Sequence, residues 1–235
     1  MALQYRIASI RDAEQLADCA AEALVEDELF AALHPGRHTD LNRFRTHLKR
    51  RARSRLTDHT YVTLVAEEKG RIIGFAHWQK LGPGTTETRW DPLKACERRL
   101  MAFEDWILSF FEGADPTVDL AASAAISSEF TELERLYWKN EDGTDREHWH
   151  LRLLAVHPTG RRRGIGGNLV QQGIDRARRD GCDAGLESSP MGLSVYQAKG
   201  FKVVGRYEML SLLDAEGQPM EAPVLLWRNP DIASM

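Results

Sequence analysis

The stretch Leu154-Ala155-Val156-His157-Pro158-Thr159-Gly160-Arg161-Arg162-Arg163-Gly164-Ile165-Gly166-Gly167 joins the end of an apolar run to the start of a helical pattern. Upstream, His148 to Val156 alternates: Trp149, Leu151, Leu153 and Ala155 fall on one face of a strand, and His148, His150 and Arg152 on the other. Downstream, Ile165, Leu169, Val170, Ile174 and Ala177 form the stripe of a helix that ends near Gly181. Cys182 to Glu187 then reads as a second strand, so the segment is a βαβ unit with parallel strands. A helix N-terminus offers unpaired N–H groups and partial positive charge, and glycines let a ligand come close to the backbone. With Arg161, Arg162 and Arg163 adding charge there, a pyrophosphate is the expected ligand.

Glycine-rich turns between strand and helix also serve dinucleotides and nucleoside triphosphates. The Walker lysine-serine pair is absent here, and Gly164-Ile165-Gly166-Gly167-Asn168-Leu169 does not fit the GxGxxG array of a Rossmann turn. The run Arg161-Arg162-Arg163-Gly164-Ile165-Gly166 instead resembles the acetyl-CoA motif of the GNAT superfamily of N-acetyltransferases: Gln or Arg, two residues, Gly, one residue, then Gly or Ala. Val156-x-Pro158 before the turn and Tyr196-Gln197-Ala198-Lys199-Gly200-Phe201 after the next strand are similar to the flanking patterns of that family. The resemblance covers 148 to 206 most closely, and extends to 4 to 30 and 61 to 80.

That resemblance implies a mixed α/β fold of about seven strands, antiparallel in its N-terminal part, whose parallel central strands splay apart to admit the pantetheine arm. It implies acetyl-CoA as cofactor, with the backbone of Leu154, Ala155 and Val156 on the pantetheine and Arg161, Arg162, Arg163, Gly164, Ile165, Gly166 and Gly167 on the pyrophosphate. Tyr196, four residues before the Gly of the Gly-Phe pair, is implied as the acid beside the sulfur and as a cofactor contact. Gly160 stands where the family commonly has an aromatic residue, which implies a looser loop.

The rest of the chain fits around this unit. Residues 4 to 8 resemble a strand, and Ser9 with Asp12 has capping-box spacing for a helix running to about Val25. Leu41, Phe44, Leu48, Ala52 and Leu56 mark one buried stripe of a second helix. Arg43 to Arg55 holds seven Lys or Arg residues in thirteen, so its charges should form a solvated face that can border the acceptor channel. Tyr61 to Ala66 and Arg71 to Trp78 read as a hairpin. An all-helical insertion is expected at about 82–146, inside one domain spanning 1–235. It should hold a helix buried through Cys96, Leu100, Phe103, Ile107 and Phe110, then another over Ser128 to Lys139. Trp106 and Phe111 lie off that stripe, as wider core or as an acceptor pocket. A short helix at Ser194 to Lys199 and strands at Lys202 to Leu212 and Pro223 to Trp227 complete the sheet.

Amine acylation needs the amine neutral, and an alkyl ammonium has a pKa near ~10.4, so a base or a desolvating pocket must remove its proton. Glu147, His148 and His150 are base candidates, the histidines sharing one strand face. Ser188 and Ser189 follow the fifth strand, where a hydroxyl can meet the cofactor arm. Cys182 reads as a small core residue. The acceptor is expected to be a small-molecule amine, with a protein or peptide amine as alternative; a non-catalytic acyl-CoA-binding module shares the same cradle.

Composition narrows the partners. With 31 Lys and Arg against 35 Asp and Glu, the formal charge is −4, which offers no global attraction to nucleic acid or an anionic membrane. The three cysteines, Cys19, Cys96 and Cys182, form no CxxC pair, arguing against a disulfide framework or zinc site. The opening residues lack a basic-then-apolar leader, and no apolar run approaches the ~20 residues of a membrane span. The expectation is therefore a cytoplasmic chain, with a nuclear location left open, acting as monomer or homodimer without metal, nucleic acid or membrane.

Overall fold

A computed structural model describes residues 2–83, 92–112, 117–213 and 217–232. In chain order its elements are β1 (Gln4–Ile7), α1 (Ala13–Leu24), α2 (Glu28–Leu33), α3 (Leu41–Thr57), β2 (Tyr61–Glu68), β3 (Arg71–Leu81), α4 (Pro92–Glu112) and α5 (Leu120–Tyr137). There follow β4 (His148–Val156), α6 (Ile165–Arg179), β5 (Asp183–Glu187), α7 (Leu193–Gln197), β6 (Lys202–Leu213) and β7 (Pro219–Trp227). The strands form one mixed seven-stranded sheet in the order β1-β2-β3-β4-β5-β7-β6. Every neighbouring pair is antiparallel except β4 with β5. That one parallel pair is the βαβ unit, because α6 carries the chain across the sheet between its strands.

Each face of the sheet is covered by helices, and the stripes of α3 and α6 were legible in the sequence. On one face Ile165, Leu169 and Ile174 of α6 pack on Leu64, Trp78, Trp149 and Leu151. Helix and sheet approach closely at Gly173, where a Cβ would lie 2.0 Å from the Trp78 indole. On the other face Leu16 and Ala20 of α1 and Phe44, Leu48, Ala52 and Leu56 of α3 pack on Val65, Phe75 and Ala155. Leu41, the first residue of the expected α3 stripe, is exposed, because it opens the helix beyond the edge of that contact. Helix α5 covers the β6–β7 end, with Ile126 on Met209 and Leu212 and with Leu133 on Val224 and Leu226.

The expected alternation in β4 holds only as far as Leu151. In the β3 ladder Trp78 is opposite Leu151 and His77 is opposite Leu153, so Arg152 is an extra residue that bulges from the strand. A one-residue insertion exchanges the faces beyond it. Trp149 and Leu151 therefore lie with α6, whereas Leu153 and Ala155 lie with α1 and α3.

The insertion between β3 and β4 is helical in its described part, but α4 is turned differently from expectation. Cys96, Leu100, Phe103 and Ile107 are exposed, and Met101 is buried. The reason is the surface that α4 meets: Glu104 pairs with Arg53 of α3, and Arg98 donates to the Thr57 carbonyl at 3.1 Å. These two contacts flank buried Met101 and set which side of α4 meets α3, leaving the apolar stripe facing outward. The side chains of Trp106, Phe110 and Phe111 lie outside the described residues. Helix α5 begins at Leu120, eight residues before the expected Ser128, capped by the Asp119 side chain, which accepts from the Ala122 N–H. Strand β7 likewise begins at Pro219 instead of Pro223. No described helix is long and apolar enough to cross a membrane.

Candidate active site

The pairing of β4 with β5 stops after His148–Asp183, Trp149–Ala184 and His150–Gly185. Beyond that point Leu151 to Val156 pairs only with β3, and Leu186 and Glu187 pair only with β7. The two strands thus diverge, and alternate peptide groups of β4 turn away from β3 into the gap. Trp138, just beyond α5, lies over Gly185 beside this fork; a Cβ on that glycine would be 2.3 Å from the indole.

A cavity of about 440 Å³ opens from the gap on the face that carries α1 and α3. Its wall includes Leu151 to Leu154 on one side of the fork and Glu187, Ser188, Ser189 and Tyr196 on the other. Tyr196 is buried and meets Phe201 edge to face with centroids 6.2 Å apart, and its hydroxyl makes no hydrogen bond to a described residue. Burial pushes its phenol above the usual range, so the hydroxyl keeps its proton. Ser188 is buried, donating its hydroxyl to the Ser189 carbonyl at 2.6 Å and its N–H to the Pro223 carbonyl.

At the other end of β4, the turn departs from the strand through a 3₁₀ turn at Pro158–Gly160. Arg162 and Gly164 both have left-handed backbones, with φ of 58° and 75°. The N–H groups of Ile165, Gly166 and Gly167 sit in the first turn of α6 and find no acceptor among the described residues; Asn168 is the first to bond backward, to the Gly164 carbonyl at 3.0 Å. Added carbon at Gly164 would meet nothing within 4 Å, and at Gly166 it would touch Leu154 and Val156 at 3.6 Å. This is open, donor-rich backbone that fits a pyrophosphate. The arginines are less free than the sequence implied. Arg163 is paired with Glu68, and Arg161 donates to the Ala23 carbonyl at 3.2 Å. The loop is not loosened at Gly160 either, because that residue is buried and a Cβ would lie 3.0 Å from the Ile73 carbonyl oxygen. Of the cradle's side chains, Ile165 belongs to the core, as does Ala155 on the opposite face, so both offer only backbone.

Neither candidate histidine lines the cavity. His148 and His150 are buried beneath Trp138, the first stacked at 4.7 Å and the second edge-on at 5.1 Å. They form a chain: His148 Nδ1 donates to the Arg146 carbonyl at 2.7 Å, so its Nε2 accepts from His150 Nδ1 at 3.1 Å. His150 Nε2 is thereby left facing Glu187 Oε2 at 2.9 Å, and it is Glu187 that reaches the cavity. Burial and the neighbouring His150 hold His148 neutral, with a pKa of about 3. For Glu187 burial works toward a higher value, but His150, the Trp138 N–H and Arg152 outweigh it and bring the carboxyl to about 2. Glu187 was missed from the sequence, where it reads only as the polar end of β5. Glu147, the third base candidate, pairs with Lys80 at 3.0 Å, and Lys80 also donates to the sulfur of buried Cys182 at 2.9 Å. None of these three lines the cavity.

The α1–α3 side adds charge, in line with the expectation that the basic helix can border the acceptor channel. Arg51 and Arg55 line the cavity instead of the solvated face of α3, and Asp27 and Glu28 line it from the start of α2. Asp27 caps α2 by accepting from the Phe30 N–H at 3.2 Å, and burial raises its carboxyl above the usual range.

Comparison with known proteins agrees with this geometry. The acetyltransferase (GNAT) family matches residues 22–201. An acetyltransferase of Stachybotrys chartarum is 22% identical over 224 residues, covering 90% of this chain and 86% of its own. Among solved structures, a polyamine N-acetyltransferase of Drosophila melanogaster that forms N-acetylagmatine superposes with a TM-score of 0.59 at 19% identity, covering 97% of this chain and 100% of that one. An agmatine N-acetyltransferase gives 0.58 at 18% identity, with 96% and 99% covered, and a mosquito arylalkylamine N-acetyltransferase-like protein gives 0.55 at 16%, with 97% and 100% covered. The forked strands, the donor-rich turn and the match over most of the length place this chain in the GNAT acetyltransferase family, whose members take their acyl group from acetyl-CoA.

Proposed function

We propose that this chain transfers the acetyl group of acetyl-CoA to a small-molecule amine, by direct attack of the amine and without a covalent enzyme intermediate. The observation that carries the proposal is the fork itself: past His150 and Gly185 the strands part, and the gap leads into one cavity that holds both Glu187 and Tyr196. A cleft of about 440 Å³, lined on several sides by charged and apolar side chains, is of a size that suits a small acceptor.

In this reading the backbone of Leu154, Ala155 and Val156 holds the pantetheine arm along the gap. The N–H groups and arginines from Arg161 to Gly167 hold the pyrophosphate, and Ser188 meets the arm from the β5 side. Bound acetyl-CoA supplies a thioester carbonyl carbon open to an amine. A β4 peptide N–H turned into the gap stabilises negative charge on that carbonyl's oxygen. Glu187 and His150 share one mobile proton, because the Arg146 carbonyl fixes the hydrogen-bond direction of the histidines behind them. Glu187 accepts a proton from the attacking amine, while His148 positions His150. Tyr196, held protonated by burial, donates to the departing thiolate.

Following free thiol release from acetyl-CoA against a panel of small amines and peptides tests this reading. Small amines are expected to stimulate release, and Tyr196→Phe to lower kcat by about 10- to 100-fold with cofactor affinity nearly intact. Equal turnover of both proteins would show the hydroxyl to be dispensable, and release stimulated by peptides alone would overturn the small-acceptor assignment.

A further inference from the structure

Helix α3 holds several of its cations in pairs with neighbouring elements. Arg45 bonds Glu14 and Asp18, Lys49 bonds Glu14, and Arg53 bonds Glu104. In β4, Arg152 bonds Glu134 at 2.6 Å and Gln79 at 2.8 Å. Arg51 and Arg55 differ from all of these. They lie one turn apart on the same side of α3, both line the cavity, and neither is paired with a carboxylate among the described residues. Arg55 lies 6.0 Å from the centre of the Tyr61 ring. Each guanidinium is held below its ordinary proton affinity by burial, Arg55 to about 10 with Arg51 adding to the effect. Buried His77 beneath them is pushed far down, by burial first and then by both arginines.

Two like charges at this spacing repel, and Arg55, half-buried and without a facing carboxylate, is costly to hold charged, while Arg51 beside it reaches solvent. A bound anion removes both penalties, and the guanidinium fork matches a carboxylate with two parallel hydrogen bonds. The phosphates of the cofactor do not fill this role in the proposed arrangement, because their cradle opens α6, which packs on the opposite face of the sheet from α3. The anion therefore belongs to the acceptor. The same cavity presents the carboxylates of Asp27, Glu28 and Glu187, which suit an ammonium group. Such a bipolar wall suits a zwitterion and opposes a dianion such as phosphate.

We infer that the acceptor is an amine that also carries a carboxylate, an amino acid or a close derivative, whose carboxylate is bound by Arg51 and Arg55 while its amine faces Glu187 and Tyr196. The inference rests on the acetyltransferase reading above. It also separates this chain from the acceptors in the names of its structural neighbours, since polyamines and agmatine carry no carboxylate.

Matched pairs differing only in the carboxylate provide the test: arginine with agmatine and tyrosine with tyramine, with phosphoethanolamine as a phosphate probe. Rates come from thiol release, and calorimetry measures binding of the corresponding N-acetylated products, which does not depend on turnover. The carboxylate-bearing member of at least one pair is expected to be preferred by about 10- to 100-fold, in kcat/KM and in product Kd. Arg51→Gln and Arg55→Gln should erase that preference through KM and leave acetyl-CoA Kd unchanged, with Arg55→Lys intermediate because it keeps the charge but not the fork. The wild-type binding comparison decides the matter even if a variant fails to fold. Equal or tighter binding of the decarboxylated members in every pair, preference for the phosphate probe, or loss of acetyl-CoA affinity in the arginine variants would overturn the inference. Discrimination in binding with no thiol release from any amine would leave the anion site standing and remove the acetyltransferase reading instead.

Discussion

The two faces of the sheet present different kinds of binding surface at the fork. On the α6 face the donors are backbone N–H groups, made available by a helix start and by left-handed residues at 162 and 164. On the α1–α3 face the polar groups are side chains gathered from several elements, the donors Arg51 and Arg55 from α3 and the acceptors Asp27 from the start of α2 and Glu187 from β5 among them. A backbone site is fixed by chain geometry and tolerates loss of single side chains. A convergent side-chain site does not, and that is where an acceptor can be selected without disturbing the cofactor.

The strongest attack on this contrast is Gly164→Glu. Its left-handed backbone strains any residue with a Cβ, and the new carboxylate would stand where phosphate is expected. No atom lies within 4 Å of the added Cβ, so the protein should fold. Acetyl-CoA Kd is expected to rise at least about 100-fold by calorimetry. Arg163→Ala, which severs only the Glu68 pair in the described structure, should change it by no more than about threefold. An arginine variant with the larger effect would mean that side chains, not backbone, hold the phosphates.

A smaller effect is expected across the fork. Glu187→Gln keeps the shape of the cavity wall but cannot accept a proton, so kcat/KM should fall roughly 100-fold. A loss of less than about tenfold would assign the base elsewhere, with Asp27 the next carboxylate in the cavity.

The same contrast explains what could be read from the residues alone. Strand, turn and helix from His148 to Arg179 were legible because periodicity and glycine position report on backbone, and backbone makes the cradle. The fork was implied by the family resemblance, and the register supplies its physical form at His150 and Gly185. Glu187 carries no local pattern that separates it from any polar strand end; the detectable signal was its place two residues after Gly185, on the face covered by Trp138. Arg51 and Arg55 were hidden within a basic run whose members look alike in sequence, and only the packing of α3 divides paired from unpaired. The α4 stripe misled because an apolar period identifies a helix but not which side its neighbours will cover.

The last test separates structure from catalysis within the histidine chain. Buried His148 remains neutral down to about pH 3, whereas in the unfolded chain it takes up a proton below its ordinary 6.5. Between those values the unfolded state binds one proton more, so this residue makes stability fall as pH falls, by about 1.4 kcal/mol per unit when fully expressed. Above pH 6.5 neither state is protonated there, and the dependence disappears. His148→Gln removes that titration, yet its amide can still donate to the Arg146 carbonyl and accept from His150. Denaturant unfolding from pH 7 to pH 4 should therefore show a shallower loss of stability in the variant, with kcat reduced only a few-fold. An unchanged slope would mean that His148 is protonated in the native protein. A kcat loss as large as that of Glu187→Gln would make it part of the proton path, because a residue that only positions His150 can be replaced by any side chain offering the same two hydrogen bonds.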